Sequence, residues 1–190
     1  ILFPLYLQNL HNIQNIKDSG SLDSLVSTFF NNLNLLSHNE QLSLFILILN
    51  TNGMKINSGH SDGIRKQFEL YRMGLDNNIL IRNNRITPQS FTNIVGLATN
   101  LNEITWAKKF IKNNSKFLPE SVIEACILFS KGKIAFKQEK YDELIAYAPI
   151  YMDSIDKKRQ GEFAKLIADS YYYKESYKDA IPYYKTFKKN

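Results

Sequence analysis

Three short segments that each open with an aromatic residue recur at nearly constant spacing in the C-terminal half of the chain. They begin at Trp106, Tyr141 and Tyr177, 35 and 36 residues apart, and a fourth copy at Phe68 begins 38 residues before the first. A period of this length is typical of one helical hairpin per repeat. Because one hairpin cannot bury its apolar face alone, neighbouring hairpins must stack. The spacing therefore predicts an all-α solenoid of about five antiparallel hairpins.

The clearest copy spans residues 161–189, where two short amphipathic helices are joined by a tight connection at Glu175 and Ser176. Its order of aromatic, aromatic, small and aromatic residues resembles the tetratricopeptide repeat family, and those positions are held by Tyr171, Tyr177, Ala180 and Tyr184. The resemblance implies a right-handed superhelix of antiparallel helix pairs. It also implies a scaffold that binds a peptide or partner protein along a concave groove.

The resemblance weakens toward the N-terminus of the chain. The preceding copy keeps Gly132 and Tyr141, whereas Leu144 stands where the family has a small residue. Upstream, only the period and the aromatic residue remain. We therefore expect a single repeat domain over residues 1–190, with divergent hairpins in 1–115 and two tetratricopeptide-like hairpins in 119–190.

Apolar residues at helical spacing predict ten helices and no region rich in strands. The first predicted helix falls in residues 1–17. The run from Glu40 to Met54 predicts a buried helix, although Leu44 to Leu49 taken alone would also suit a buried strand. Glycines and capping residues predict a loop over 52–63, and residues 79–81 would suit a short extended piece.

Helix ends are marked by proline and by paired asparagines. Thr87 and Pro88 predict a helix start, because proline is favoured at the first helical position. Pro149 is expected to distort its helix or to end it near the last turn. Asparagine favours caps and turns, so the pairs at 31–32, 77–78, 83–84 and 113–114 help to place helix ends.

The composition gives little support to reaction chemistry. The single cysteine, Cys126, lies in an apolar run that predicts a buried thiol, and His11, His38 and His60 lack the spacing of metal ligands. The glycines at 53, 59 and 63 form no phosphate-binding loop. We therefore expect no enzyme and predict no catalytic, metal-binding or cofactor-binding residue.

A partner-binding surface is easier to propose, from the positions that line the groove in tetratricopeptide repeats. Those positions carry aromatic and charged side chains, which could hold an extended or helical peptide by stacking and charge. They are Phe129, Lys133, Phe136, Lys137, Lys165, Asp169, Tyr172 and Tyr173. The family members that clamp a C-terminal carboxylate need asparagine where Lys133 and Asp169 stand, so capture of a peptide C-terminus is not expected.

A single-stranded RNA-binding solenoid is the alternative. The segment Pro88 to Val95 resembles the opening of a pentatricopeptide repeat, whose base-reading residue would be Asn93. That family repeats its base-reading residues in every unit, whereas Leu128 and Ala164 stand at the aligned positions here. The net charge of +6 permits a nucleic-acid or acidic partner without selecting one.

The first residue and the hydropathy of the chain lead to two further expectations. The first residue is Ile1, so we expect a fragment or processed form of a longer chain, and the cellular compartment and oligomeric state do not follow from the sequence. The longest apolar run, Leu42 to Leu49, is far shorter than the roughly 20 residues that cross a bilayer. We therefore expect no membrane-spanning segment.

Overall fold

The computed structural model describes residues 4, 19–59, 62–154 and 157–189, which are mostly helical and include no strand. These residues form nine α-helices: α1 (Ser19–Asn31), α2 (His38–Asn57), α3 (Gly63–Asp76), α4 (Pro88–Asn100), α5 (Ile104–Asn114), α6 (Ile123–Lys137), α7 (Tyr141–Ser154), α8 (Lys157–Tyr173) and α9 (Tyr177–Lys189). Single 3₁₀ turns cover Leu33–Leu35, Ser115–Phe117 and Glu120–Val122. The predicted all-α class is confirmed. Apart from Pro4, the helix predicted over residues 1–17 lies outside the described residues.

Two helix starts are determined by local capping chemistry. Ser37 caps α2 in a capping box, in which the Glu40 backbone N–H donates to Ser37 Oγ and the Ser37 backbone N–H donates to the Glu40 carboxylate, 2.7 Å away. At α4, the backbone N–H of Ser90 donates to Thr87 Oγ1 over 3.1 Å, and Pro88 occupies the first turn. The predicted start at Thr87 and Pro88 is confirmed.

Helix α2 is longer than the sequence pattern predicts. The loop expected from residue 52 begins only after Asn57, so the prediction was wrong for residues 52–57. The Asn52 side chain is buried and its Nδ2 donates to the carbonyl oxygen of Gly63 over 2.8 Å and to Gln67 Oε1 over 2.6 Å. These partners satisfy a polar side chain that would otherwise favour a turn.

The structure also tests three further predictions about the backbone. Residues 79–81 form no strand, and Ile79 and Leu80 are buried. Helix α7 continues past Pro149 to Ser154, so this proline does not end the helix at its own position. The alternative of a strand over Leu44 to Leu49 is excluded, because these residues lie within α2.

The chain divides into two compact units between Asn84 and Arg85. In the first unit α2 packs against both α1 and α3, and the Phe29 and Phe45 rings stack with centroids 6.1 Å apart. In the second unit, consecutive helices from α4 to α9 pack against one another, and α6 also contacts α4 and α8. The single repeat domain predicted over 1–190 stays a prediction.

Three turns of the second unit have the same backbone geometry. Each contains one left-handed residue, Asn102, Glu139 or Glu175, with φ of 63°, 59° and 60°. The backbone N–H of the next residue donates to a carbonyl five positions earlier, over 2.8, 2.9 and 2.9 Å respectively. This is the Schellman arrangement that ends many helices. The turns recur 37 and 36 residues apart.

The repeated turns correct the register of the sequence repeat. Helices α5, α7 and α9 begin at Ile104, Tyr141 and Tyr177, so Ile104 and not Trp106 corresponds to the two tyrosines. The alignment on Trp106 was therefore displaced by two residues. Trp106 instead stacks on Phe110 in its own helix, with centroids 5.4 Å apart. In the corrected register Ala107, Leu144 and Ala180 correspond, and all three are buried.

Candidate protein-binding surface

The eight predicted groove residues lie on two helices that contact each other, α6 and α8. They form four pairs of corresponding positions, 36 residues apart: Phe129 with Lys165, Lys133 with Asp169, Phe136 with Tyr172, and Lys137 with Tyr173. The structure therefore brings the two sets onto neighbouring helices. Their exposure differs widely from one pair to the next.

Phe129 lies beneath the surface rather than on it. Its side chain is only 3% exposed, and its ring centroid is 6.1 Å from that of Phe163 in a core cluster that includes Leu144 and Ile167. The prediction that Phe129 contacts a partner is corrected by this burial. The Phe129 ring packs beneath Lys133, whose ammonium lies over it.

Lys133 occupies a half-buried position above Phe129. Its Nζ is 4.6 Å from the Phe129 ring centroid, within the range of a cation–π contact. A Cβ built on Gly96 of α4 would lie 3.4 Å from the same Nζ, so the absence of a side chain at Gly96 leaves room for the ammonium. Burial lowers the pKa of Lys133, and the negative charge of Glu162 opposes that shift.

Lys165 and Asp169 neutralise each other in a small polar group. Lys165 Nζ lies 2.5 Å from Asp169 Oδ2, and the Tyr184 hydroxyl donates to Asp169 Oδ1 over 2.8 Å. Burial and the bond to the Asp169 carboxylate raise the pKa of Tyr184 to about 12. The Asp169 carboxylate thus links α8 to α9, and this part of the surface offers little net charge to a partner.

Three of the predicted residues, Phe136, Tyr172 and Tyr173, join Tyr141 and Tyr177 in a connected group of five aromatic rings, called here the ring cluster. Tyr141 stacks on Tyr173 at 5.5 Å and 12°, and Phe136 lies 5.8 Å from Tyr141 and 6.1 Å from Tyr173. Tyr172 is 6.0 Å from Tyr173 and 5.4 Å from Tyr177. These distances suit aromatic pairing.

Large fractions of the ring cluster face solvent. Tyr172, Tyr173 and Tyr177 are 53%, 61% and 54% exposed, whereas Phe136 and Tyr141 are half-buried. A group of neighbouring exposed aromatic residues marks an interaction site more strongly than scattered apolar residues do.

Two of the repeated turns position the ring cluster. Phe136 and Tyr172 are the next-to-last residues of α6 and α8, and Tyr141 and Tyr177 begin α7 and α9, so the left-handed residues Glu139 and Glu175 bring each set together. The turn geometry leaves Tyr177 more than half exposed, and both tyrosines join the ring cluster. A recurring helix-opening tyrosine was the available signal.

Lysines border the ring cluster. Lys137 and Lys140 are exposed on either side of the first turn, and Lys174 lies in the second turn, where it pairs with Asp142. Lysine side chains beside aromatic faces can hold acidic groups of a partner while the rings bury apolar groups. The carboxylates of Glu139, Asp142 and Glu175 are exposed in or beside the same turns, so the surface combines an apolar centre with a border that carries both charges.

Other residues considered for chemistry lie elsewhere. Cys126 is fully buried, as predicted, and His38 is half-buried beside the start of α2. His11 and His60 lie outside the described residues. Within the part of the chain that the structure describes, no three His, Cys, Asp or Glu side chains are grouped to hold a metal ion. None of the described helices has the length and apolar content needed to cross a membrane.

Comparison with known proteins adds no relative. No family model matches the chain, and neither a curated protein nor a solved structure matches it. The resemblance to tetratricopeptide repeats stays a prediction from the sequence.

Proposed function

We propose that this chain is a non-enzymatic protein–protein interaction module that binds a peptide or partner protein over the surface of α6 and α8. The single observation that supports this proposal best is the ring cluster, whose Tyr172, Tyr173 and Tyr177 are each more than half exposed. Tyrosine is enriched among the residues that dominate binding energy at protein interfaces. Its rigid ring contacts a partner at low cost in conformational entropy.

The border of the ring cluster gives the proposed partner its chemistry. Lys137 and Lys140 are exposed beside Phe136 and Tyr141, and they favour a segment with acidic residues next to an aromatic or aliphatic anchor. Lys165 is already engaged by Asp169, so it contributes less to such a partner. We therefore place the binding centre at the ring cluster rather than along the whole predicted groove.

The proposal includes a repeat architecture in the second unit, in which helix pairs stack as a tetratricopeptide-like right-handed superhelix. Three observations support it: the shared turn geometry at Asn102, Glu139 and Glu175, the contact of α6 with both α4 and α8, and the burial of the corresponding residues Ala107, Leu144 and Ala180. Such stacking exposes equivalent helix ends side by side, which is where the ring cluster lies.

A peptide selection followed by affinity measurement tests the proposed function. A random peptide library is selected on the immobilised chain, and the dissociation constant of recovered peptides is measured by fluorescence polarisation. The Tyr172→Ala/Tyr173→Ala variant is expected to weaken binding at least tenfold, which corresponds to about 1.4 kcal/mol. Lys137→Glu/Lys140→Glu is expected to weaken acidic peptides selectively.

The matched control is Phe187→Ala, which removes an aromatic side chain that is 41% exposed on α9 but does not belong to the ring cluster. It should leave the affinity unchanged. If the tyrosine variant and the control bind selected peptides equally well, the ring cluster is not the binding surface. Recovery of no peptide above background would contradict peptide binding itself.

Single-stranded RNA binding is the second candidate, favoured by the stacked rings of Tyr141 and Tyr173 beside lysines. The base-reading hypothesis at Asn93 gains no support, since the corrected register aligns it with Ser130, which is fully buried, and with Leu166. Asn93 also accepts a hydrogen bond from Gln89 over 2.8 Å. A filter-binding assay with mixed-sequence oligonucleotides at low salt decides between the candidates, because RNA binding must weaken steeply as salt is added.

A further inference from the structure

A cleft of about 470 Å³ lies in the second unit, and its lining includes Lys140 from the border of the ring cluster but none of the five rings. Residues of α5 and of the 3₁₀ turn that follows form one wall, α6 forms the floor, and the start of α7 with the residue before it forms the other wall. This volume is within the range that proteins use to bind small molecules. Nothing in the proposed protein-binding surface accounts for it.

The floor of the cleft is apolar. It is formed by Ile127, Ile134 and Ala135 of α6, and Ile111 of α5 extends the apolar lining onto one wall; Ile127 is half-buried and the others are buried at 8% exposure or less. An apolar ligand placed there would remove this surface from water, which is favourable in proportion to the area covered.

The charged lining of the cleft is mainly basic. Four lysines line it, Lys108 and Lys112 of α5, Lys131 of α6 and Lys140 just before α7, against the single carboxylate of Glu143. That carboxylate already accepts a hydrogen bond from the Tyr147 hydroxyl over 3.0 Å. Four positive charges and one negative charge around one opening attract an anion.

We propose that this cleft binds a small anionic amphiphile, a molecule with an apolar body and a carboxylate, sulfonate or phosphate group. The body lies on the isoleucine floor, and the acidic group lies among the lysines of the walls. The charge selects against a cationic amphiphile with the same body. The cleft extends three turns or fewer along each wall, so the ligand is of small-molecule size.

The pair 8-anilinonaphthalene-1-sulfonate and N-phenyl-1-naphthylamine tests this proposal, because both have the same rings and only the first has a sulfonate. Fluorescence titration of the folded chain should show tighter binding of the sulfonate. Lys131→Glu/Lys140→Glu should raise its dissociation constant about tenfold and leave that of the uncharged probe within about twofold, since the variant changes charge at the opening and not the floor.

Two controls locate the site. Lys185→Glu/Lys188→Glu makes the same charge change on exposed residues of α9 that do not line the cleft, and it should leave both affinities within about twofold. Tyr172→Ser/Tyr173→Ser should also leave them unchanged, which separates this site from the ring cluster. The neutral variant Lys131→Gln/Lys140→Gln replaces the charge reversal if the latter unfolds the chain.

The outcomes are distinct. An equal loss of sulfonate binding in the cleft variant and the α9 control would mean that only overall charge attracts the probe, and the proposal would be overturned. Loss in the tyrosine variant would place the probe on the ring cluster and overturn it as well. Equal affinity for the two probes in the unaltered chain would exclude the role assigned to the lysines.

Discussion

The ammonium of Lys133 lies 4.6 Å from the centre of the Phe129 ring, so a charged group covers one of the core aromatic side chains. This contact joins the surface of α6 to the core between α6 and α8. It also explains why the predicted groove is not uniform, because the phenylalanine is in the core and the lysine stem lies over it.

The lowered pKa of Lys133 predicts a pH dependence of stability. Burial lowers this pKa in the folded chain, so the folded state releases the proton more readily than the unfolded state, in which the pKa is near 10.5. The unfolding free energy of the unaltered chain minus that of Lys133→Met should therefore increase as pH rises toward about 10.5. Urea unfolding at pH 8 and pH 10 measures it, with Lys137→Met as the exposed control. A difference that falls with pH would contradict the prediction.

The raised pKa of Tyr184 predicts a change of opposite sign. Its value of about 12 arises from burial and from the bond to Asp169, so the neutral phenol is the form that the folded chain favours. Its stabilising contribution is complete below pH 10 and is lost between about pH 10 and pH 12. Absorbance titration at 295 nm should show a late-ionising tyrosine component that decreases by one tyrosine in Tyr184→Phe. Asp169→Asn should lower the pH at which Tyr184 ionises. An unchanged pH of ionisation would exclude a role of the Asp169 carboxylate.

The left-handed turn at Glu175 predicts that one substitution has opposite effects at two positions. Glu175 has φ of 60°, which is costly for a residue with a side chain, so Glu175→Gly should stabilise the chain by about 0.5–1 kcal/mol. Glu162→Gly, in the middle of α8, should destabilise it by about 1 kcal/mol. Thermal unfolding of both variants checks the signs. Destabilisation by Glu175→Gly would argue against the left-handed conformation.

The close packing at Gly132 predicts a destabilising effect of the smallest side chain. A Cβ at this position would collide with Cε2 of Phe163 and would lie 3.0 Å from Cδ1 of Leu144, so Gly132→Ala should cost about 1–3 kcal/mol. Gly53→Ala is the matched control, because a Cβ built there has no atom within 4 Å among the described residues, apart from its chain neighbours and the backbone of its own helix. The control should be neutral or stabilising by up to about 1 kcal/mol. Equal unfolding midpoints for the two variants would contradict the predicted packing.

Local signals predicted several helix ends correctly. Thr87 with Pro88 begins α4, and the asparagine pairs at 31–32 and 113–114 coincide with the ends of α1 and α5. These ends depend on hydrogen bonds between a residue and its near neighbours, or on a backbone angle that one residue type prefers. Such information is present in a few consecutive residues.

Signals that depend on distant partners were misjudged. Residues 52–57 were predicted to lie in a loop but belong to α2. Asn52 remains helical because Gly63 and Gln67 accept hydrogen bonds from its side chain. The repeat was aligned on Trp106 because this residue is aromatic, whereas Ile104 is the residue at the corresponding helix start. The conformations of both depend on contacts that a linear pattern does not contain.

By itself, the sequence determined the all-helical class, most helix boundaries and the approximate period of the turns, because periodicity and capping are short-range properties. Only the tertiary structure decided which aromatic residues are exposed: Phe129 is buried under Lys133, whereas Tyr173 stacks on Tyr141 at the surface. It also decided that four lysines from three parts of the chain line one cleft with an apolar floor. The packing of the helices determines which side chains are exposed and which ones from distant parts of the sequence lie close together. Residues at the same helical spacing can therefore face either the core or a partner.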